Sequence, residues 1–202
     1  MTLASVLLGA SGGTVKYRSG NLYMANPEGF TTTAVTTTAD RDYLVPFSPR
    51  ESCTVDKVAW NRRNTTAANV YVGLYSAAGT LLTNCAVDTD TTVGWHLVDT
   101  TNVAIVRREL YWLVYNESAS VGAGQYFQTH PVATSGAADQ VRSGYMDLVR
   151  DFGFPVDLGT ASANSAGVAQ IKNRTNAALL SSLTLSGFSG AGTVPTLGVV
   201  LA

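Results

Sequence analysis

Between Asp42 and Asn116 apolar and polar residues alternate in short runs separated by turn-forming residues. The clearest run is Asn69-Val70-Tyr71-Val72-Gly73-Leu74-Tyr75, where Val70, Val72 and Leu74 share one face and Tyr71, Gly73 and Tyr75 the other. Ser76-Ala77-Ala78-Gly79 then reads as a turn, and Thr80-Leu81-Leu82 to Val87 as the returning leg of a hairpin. Upstream, Tyr43-Leu44-Val45-Pro46-Phe47 is a strand whose Pro46 predicts an edge position, because proline cannot donate to a ladder. From Cys53 to Asn61 the alternation is imperfect: Val58 and Trp60 fall on one face and Val55 is displaced, as a bulge would place it. Trp95–Asp99 and Asn102–Val106 predict two further short strands. Glu109-Leu110-Tyr111-Trp112-Leu113-Val114-Tyr115 is apolar on both faces, which predicts a central strand covered on both sides. Ser181-Leu183-Leu185 and Leu197-Val199-Leu201 alternate again, so the C-terminal stretch is expected to return to the sheet. At about ten-residue spacing, these strands predict an all-β fold, an antiparallel β-sandwich of jelly-roll-like form. The one window near helical spacing is 137–149, with Val141, Tyr145 and Leu148, but Gly144 interrupts it; a short helix and a long loop fit it equally.

The chain divides into residues 1–15, an extended apolar arm, and 16–202, a single sandwich domain. In the arm, Leu3, Val6, Leu7 and Leu8 are candidate anchors on a neighbouring subunit. The run lacks the basic residues that precede a signal segment, and it is far shorter than the roughly 20 residues that span a bilayer, so no membrane insertion is expected. Charged residues make up 13% of the chain, about half the roughly 25% of ordinary soluble domains. Small uncharged residues take their place, and such a surface suits packing against neighbours and homo-oligomeric assembly. From Phe152 to Ala202 the only charges are Asp157, Lys172 and Arg174, which predicts a subunit interface there. A net charge of −1 gives no electrostatic pull toward nucleic acid.

Candidate chemistry is sparse. His96 sits in a strand beside Trp95 and reads as a packed or hydrogen-bonded residue; His130 precedes Pro131 in a loop. There is no Cys-x-x-Cys or His-x-His pair for a metal and no Gly-x-Ser-x-Gly elbow, so no catalytic residue, metal or cofactor is assigned. Asp88 with Asp90, and Asp147 with Asp151, are spaced to share a face and are candidate glycosidase carboxylates or, for the first pair, calcium ligands; both read more simply as polar turns. Cys53 and Cys85 read as two buried free thiols, or as one bridge between strands. Arg62-Arg63 and Arg107-Arg108 lie at strand ends, where solvated turn charges and anion contacts are the alternatives. Tyr71, Tyr75, Tyr111 and Tyr115 are expected on matching faces of two strands, as candidate ligand or interface aromatics or as core packing.

The runs Tyr17-Arg18-Ser19-Gly20-Asn21-Leu22-Tyr23, Asp42–Phe47, Thr54–Trp60, Val72–Gly79 and Leu110–Val114 resemble a β-sandwich group found among tail, tail-fibre and head-associated proteins of tailed-bacteriophage virions. That resemblance spans roughly residues 16–200 and implies a displayed sandwich present in several copies, with no catalytic residues to carry over. The expectation is a non-enzymatic virion structural protein, a tail or short-fibre component ahead of a capsid decoration, with other virion proteins as partners. A lectin-like module that recognises a host cell-surface glycan is the alternative, and a polysaccharide depolymerase the second.

Overall fold

The computed structural model describes residues 19–24, 35–49, 51–126, 170–187, 189–190 and 193–202. The arm anchors Leu3, Val6, Leu7 and Leu8, the window 137–149, His130 and the Asp147/Asp151 pair lie outside them. Within the described residues the chain forms strands β1 (Leu22–Met24), β2 (Val35–Thr36), β3 (Arg41–Phe47), β4 (Cys53–Arg62), β5 (Val70–Ser76), β6 (Gly94–Ile105), β7 (Tyr111–Glu117), β8 (Ala123–Tyr126), β9 (Gln170–Asn173), β10 (Ser189–Gly190), β11 (Thr193–Pro195) and β12 (Leu197–Leu201). Two antiparallel sheets, ordered β1-β12-β4-β6 and β10-β9-β3-β7-β5, face each other as a β-sandwich, with a small sheet β11-β8-β2 beside them.

The alternating residues of both sheets meet in one core. Val58, Trp60, Val98, Leu197 and Val199 come from the four-stranded sheet, and Tyr43, Val45, Val72, Leu74, Leu113 and Tyr115 from the five-stranded one. Each large side chain buried this way contributes about 1.5–3 kcal/mol. Strand β7 lies between β3 and β5 and is buried along its whole length, as its two-faced apolar pattern requires. Its second face, Trp112 and Val114, packs with Leu44, Tyr75 and Leu183 in a smaller cluster, covered by Leu81, Leu179 and Leu185. The C-terminal alternations thus divide. Leu197–Leu201 becomes β12, whereas Leu183 and Leu185 cap the outer face of the sheet and only Ser182 bridges to Thr80.

Several local features follow the residue pattern closely. Pairing of β4 with β6 shifts register between Val55 and Lys57, and β12 skips the same position, so the bulge lies at Asp56 and returns Val55 to the core. The Gly79 turn is closed by Ser76 N–H donating to Thr80 O, at 2.9 Å, and Gly79 takes φ +84°. The returning leg joins β5 through bridges at Leu81 and Asp88 and through the Thr83 hydroxyl, which accepts from Leu74 N–H at 3.0 Å. The segments Trp95–Asp99 and Asn102–Val106 fuse into the single long strand β6. Pro46 needs a correction: β3 is an interior strand, but its ladder with β9 ends at Leu44, so among the described residues Pro46 meets a partner strand only on the β7 side.

Candidate functional site

At the side of the sandwich where β5 and β6 end their respective sheets, Asp88 ties the two sheets together. Its backbone exchanges both hydrogen bonds with Val70 of β5, each at 2.9 Å. Its side chain reaches the opposite sheet, where Oδ2 accepts from Trp60 Nε1 of β4 at 2.8 Å and lies 2.7 Å from His96 Nδ1 of β6. The other ring nitrogen, His96 Nε2, lies 2.7 Å from the Thr92 carbonyl oxygen. Trp60 is fully buried and stacks obliquely on the imidazole, with ring centroids 4.6 Å apart. Both nitrogens of His96 therefore face oxygen acceptors, and neither is free to serve as a base toward a bound molecule.

The segment following Asp88 is built from two successive aspartate turns. Asp88 Oδ1 accepts from Asp90 N–H, and Asp90 Oδ1 accepts from Thr92 N–H, both at 2.9 Å, and from the Thr92 hydroxyl. The Thr92 hydroxyl, and then its amide, hold the Asp90 carboxyl below its ordinary value of 3.8, so it stays ionised. This segment curls over β6 and leaves a depression of about 470 Å³ lined by Val87, Asp90, Val93, Trp95, Leu97 and Asp99, among others. Large apolar side chains are open to solvent here: Val87 is 43% exposed, Val93 58%, Trp95 40% and Leu97 51%. Among the described residues they are four of the six exposed large hydrophobics, which makes this a patch rather than scattered surface. Asp99 is paired with Lys57, which also meets Asp56.

The Asp88/Asp90 pair is thus the polar turn that its sequence suggests. Among the described residues no group of three or more His, Cys, Asp or Glu could hold a metal ion. The tyrosines separate differently from expectation. Antiparallel register sets Tyr71 opposite Asn116 and Tyr75 opposite Trp112, so Tyr71 and Tyr75 do not share a face with Tyr111 and Tyr115. Tyr75, Tyr111 and Tyr115 are buried in the two apolar clusters, and only Tyr71 is half-buried. Among the described residues, packing accounts for the three buried rings. Cys53 and Cys85 are free thiols, both raised above 9.0, chiefly by burial.

Other charged groups serve the interior. Arg62, read from sequence as a strand-end charge, is fully buried; its Nε donates to Asn64 O at 2.8 Å and its Nη2 to Thr66 O. Glu117 is also fully buried, and its Oε2 accepts from Tyr115 Oη at 2.5 Å, Val121 N at 2.9 Å and Gly122 N at 3.0 Å. Asp42 receives Arg174 Nε at 2.5 Å and Asn116 Nδ2 at 3.0 Å, which fastens the segment after β9 to the five-stranded sheet. The sequence alone does not distinguish Trp95, Leu97, Val87 or Val93 as surface residues. The available signal was the alternation from Val93 to Asp99, but it fits two phases, one with Trp95 and Leu97 inward and one with His96 and Val98 inward.

No curated protein matches this chain. A family model described as a domain of unknown function, DUF4082, matches residues 25–166, a span that runs through β2 to β8 and contains both the Asp88 clamp and the depression. Because the match covers well over half of the 202 residues, the chain belongs to the DUF4082 family.

Proposed function

We propose that this protein is a non-enzymatic structural and display component of a tailed-bacteriophage virion, a tail or short-fibre part ahead of a capsid decoration, that acts by surface contact. The observation that carries the reading is how the described side chains are used. His96, Asp88, Glu117, Asp42, Arg62 and Arg174 are spent on internal hydrogen bonds that fix loops, while exposed apolar groups gather on one side of a stiff sandwich. A catalytic carboxylate or imidazole needs an open face toward its substrate, and these groups face the protein. The low charged fraction of 13% further favours a protein held among neighbours, as copies of itself or other virion proteins. The runs quoted above that resemble virion sandwiches add the particle as its location.

The test is immunogold microscopy, with antiserum to the recombinant chain, on particles purified from a lysate of the host that carries the gene. Regular labelling of particles at a fixed position is expected. Label found only in the particle-free supernatant would reject the reading.

A further inference from the structure

We infer that the depression beside β6 is a binding site for a neutral oligosaccharide, with Trp95 as its stacking platform and Asp90 as its hydroxyl acceptor. This assignment rests on the site alone and stands whether or not the protein belongs to a virion. Trp95 is 40% exposed on a β-strand, where the backbone fixes the ring's direction, and Val93 and Leu97 extend the apolar surface on either side. A pyranose ring presents C–H groups of slight positive charge on one face, and these suit the negative face of an indole. Hydroxyl groups at the ring edge need acceptors, and the Asp90 carboxylate is held ionised by Thr92 at the rim. The depression sets apolar side chains (Val93, Trp95, Leu97) beside fixed polar groups (Asp90, Thr92), and about 470 Å³ is in the usual size range of a small-ligand site.

Charge selects among occupants. The lining includes Asp88, Asp90 and Asp99 and no Lys or Arg; the adjacent Lys57 is engaged by Asp99 and Asp56. An acidic sugar, a phosphate or a nucleic acid would meet the Asp90 carboxylate with no Lys or Arg in the lining to offset it. A second copy docking by a twofold contact would press this acidic lining against the same acidic lining of its partner, since an isologous contact pairs a patch with itself. A neutral, hydroxyl-rich ligand has neither problem. The platform is also preorganised, because Asp88 locks the segment to both sheets before any ligand arrives.

The experiment uses the full chain on an array of neutral oligosaccharides ending in glucose, galactose, mannose or N-acetylglucosamine, with sialylated and sulfated ones alongside. The best binders are then titrated by calorimetry at two salt concentrations. Expected are binding confined to the neutral set, little salt dependence, and a loss of affinity of about tenfold or more in Trp95→Ala. Trp95→Tyr, which keeps a stacking ring, should restore much of it. Asp90→Asn keeps the oxygen that closes the Thr92 turn but removes the charge, and should weaken binding several-fold. Leu180→Ala, an exposed apolar site elsewhere, should leave binding unchanged. The inference fails if no neutral glycan binds, if binding ignores both Trp95→Ala and Asp90→Asn, or if Trp95 instead supports binding of a basic peptide or self-association.

Discussion

Removing the Asp88 carboxylate tests whether one side chain holds the open side of the sandwich together. In Asp88→Ala, Trp60 Nε1 and His96 Nδ1 lose their acceptor at positions that are 0% and 7% exposed, where water cannot readily replace it. Leaving a buried donor unpaired costs about 1–3 kcal/mol, so two give about 2–6 kcal/mol. The third bond, from Asp90 N–H, is exposed, and water can take it over at little cost. A domain is stable by only about 5–15 kcal/mol, so the loss is a large share of the whole. Asp88→Asn is the sharper comparison. Its amide oxygen can still accept from both Trp60 and His96, but its NH2 then faces the Asp90 N–H, so only the turn bond and the charge are lost, at about 1–2 kcal/mol. Urea unfolding followed by tryptophan fluorescence measures both, with the slope m expected to stay constant because the same surface is exposed. A cost below about 1 kcal/mol for Asp88→Ala, or equal costs for the two variants, would show that the clamp does not work through its buried donors.

Alkaline pH should weaken the fold. Tyr75, Tyr111 and Tyr115 are raised above an ordinary 10.0, and Cys53 and Cys85 above 9.0, in each case chiefly by burial. The folded chain keeps these protons longer than the unfolded one, so their contribution is full below pH 9 and falls as pH rises through 9 to 10 and beyond, which a series of urea midpoints would record. Both thiols should react with iodoacetamide at pH 8 more slowly than free cysteine, and the intact mass should not change on reduction, because neither is bridged. Gly79→Ala would place a Cβ 2.3 Å from the Leu183 carbonyl oxygen at a φ of +84°, so the cap over Tyr75 must move; a loss of about 2 kcal/mol or more is expected, and unchanged stability would contradict the assigned turn.

Elements whose two faces differ plainly could be read from the chain alone. Val70, Val72 and Leu74 alternate with one inward phase, and β7 is apolar enough on both faces to demand a central place. The displacement of Val55 was also visible, because a bulge is the local way to return it to the face of Val58 and Trp60. What failed depended on partners far away in sequence. Pro46 looks like an edge residue until the length of β9, well over a hundred residues later, shows where its ladder stops. The tyrosines match in the sequence pattern alone, because the register between β5 and β7 cannot be known from either strand. Arg62 and Glu117 look like ordinary surface charges, and their burial depends on backbone groups from Asn64 to Thr66 and from Val121 to Gly122.

The most consequential ambiguity was the phase of β6. With side chains alternating at a period of two, a shift of one residue exchanges the faces completely. Hydrophobicity alone favours Trp95 and Leu97 inside and His96 outside, and the fold does the reverse. What compensates is polar: His96 is inside because Asp88 and the Thr92 carbonyl meet both of its ring nitrogens, and Trp60 packs on its face. The clamp and the exposed platform are thus one event. The register that lets His96 reach Asp88 is the register that presents Trp95 and Leu97 to solvent, across from Asn61 and Ala59. A strand that leaves an indole 40% and an isobutyl group 51% exposed forgoes part of the roughly 1.5–3 kcal/mol that full burial of each would contribute. That cost is intelligible if the outward face is the part of the molecule that makes contact.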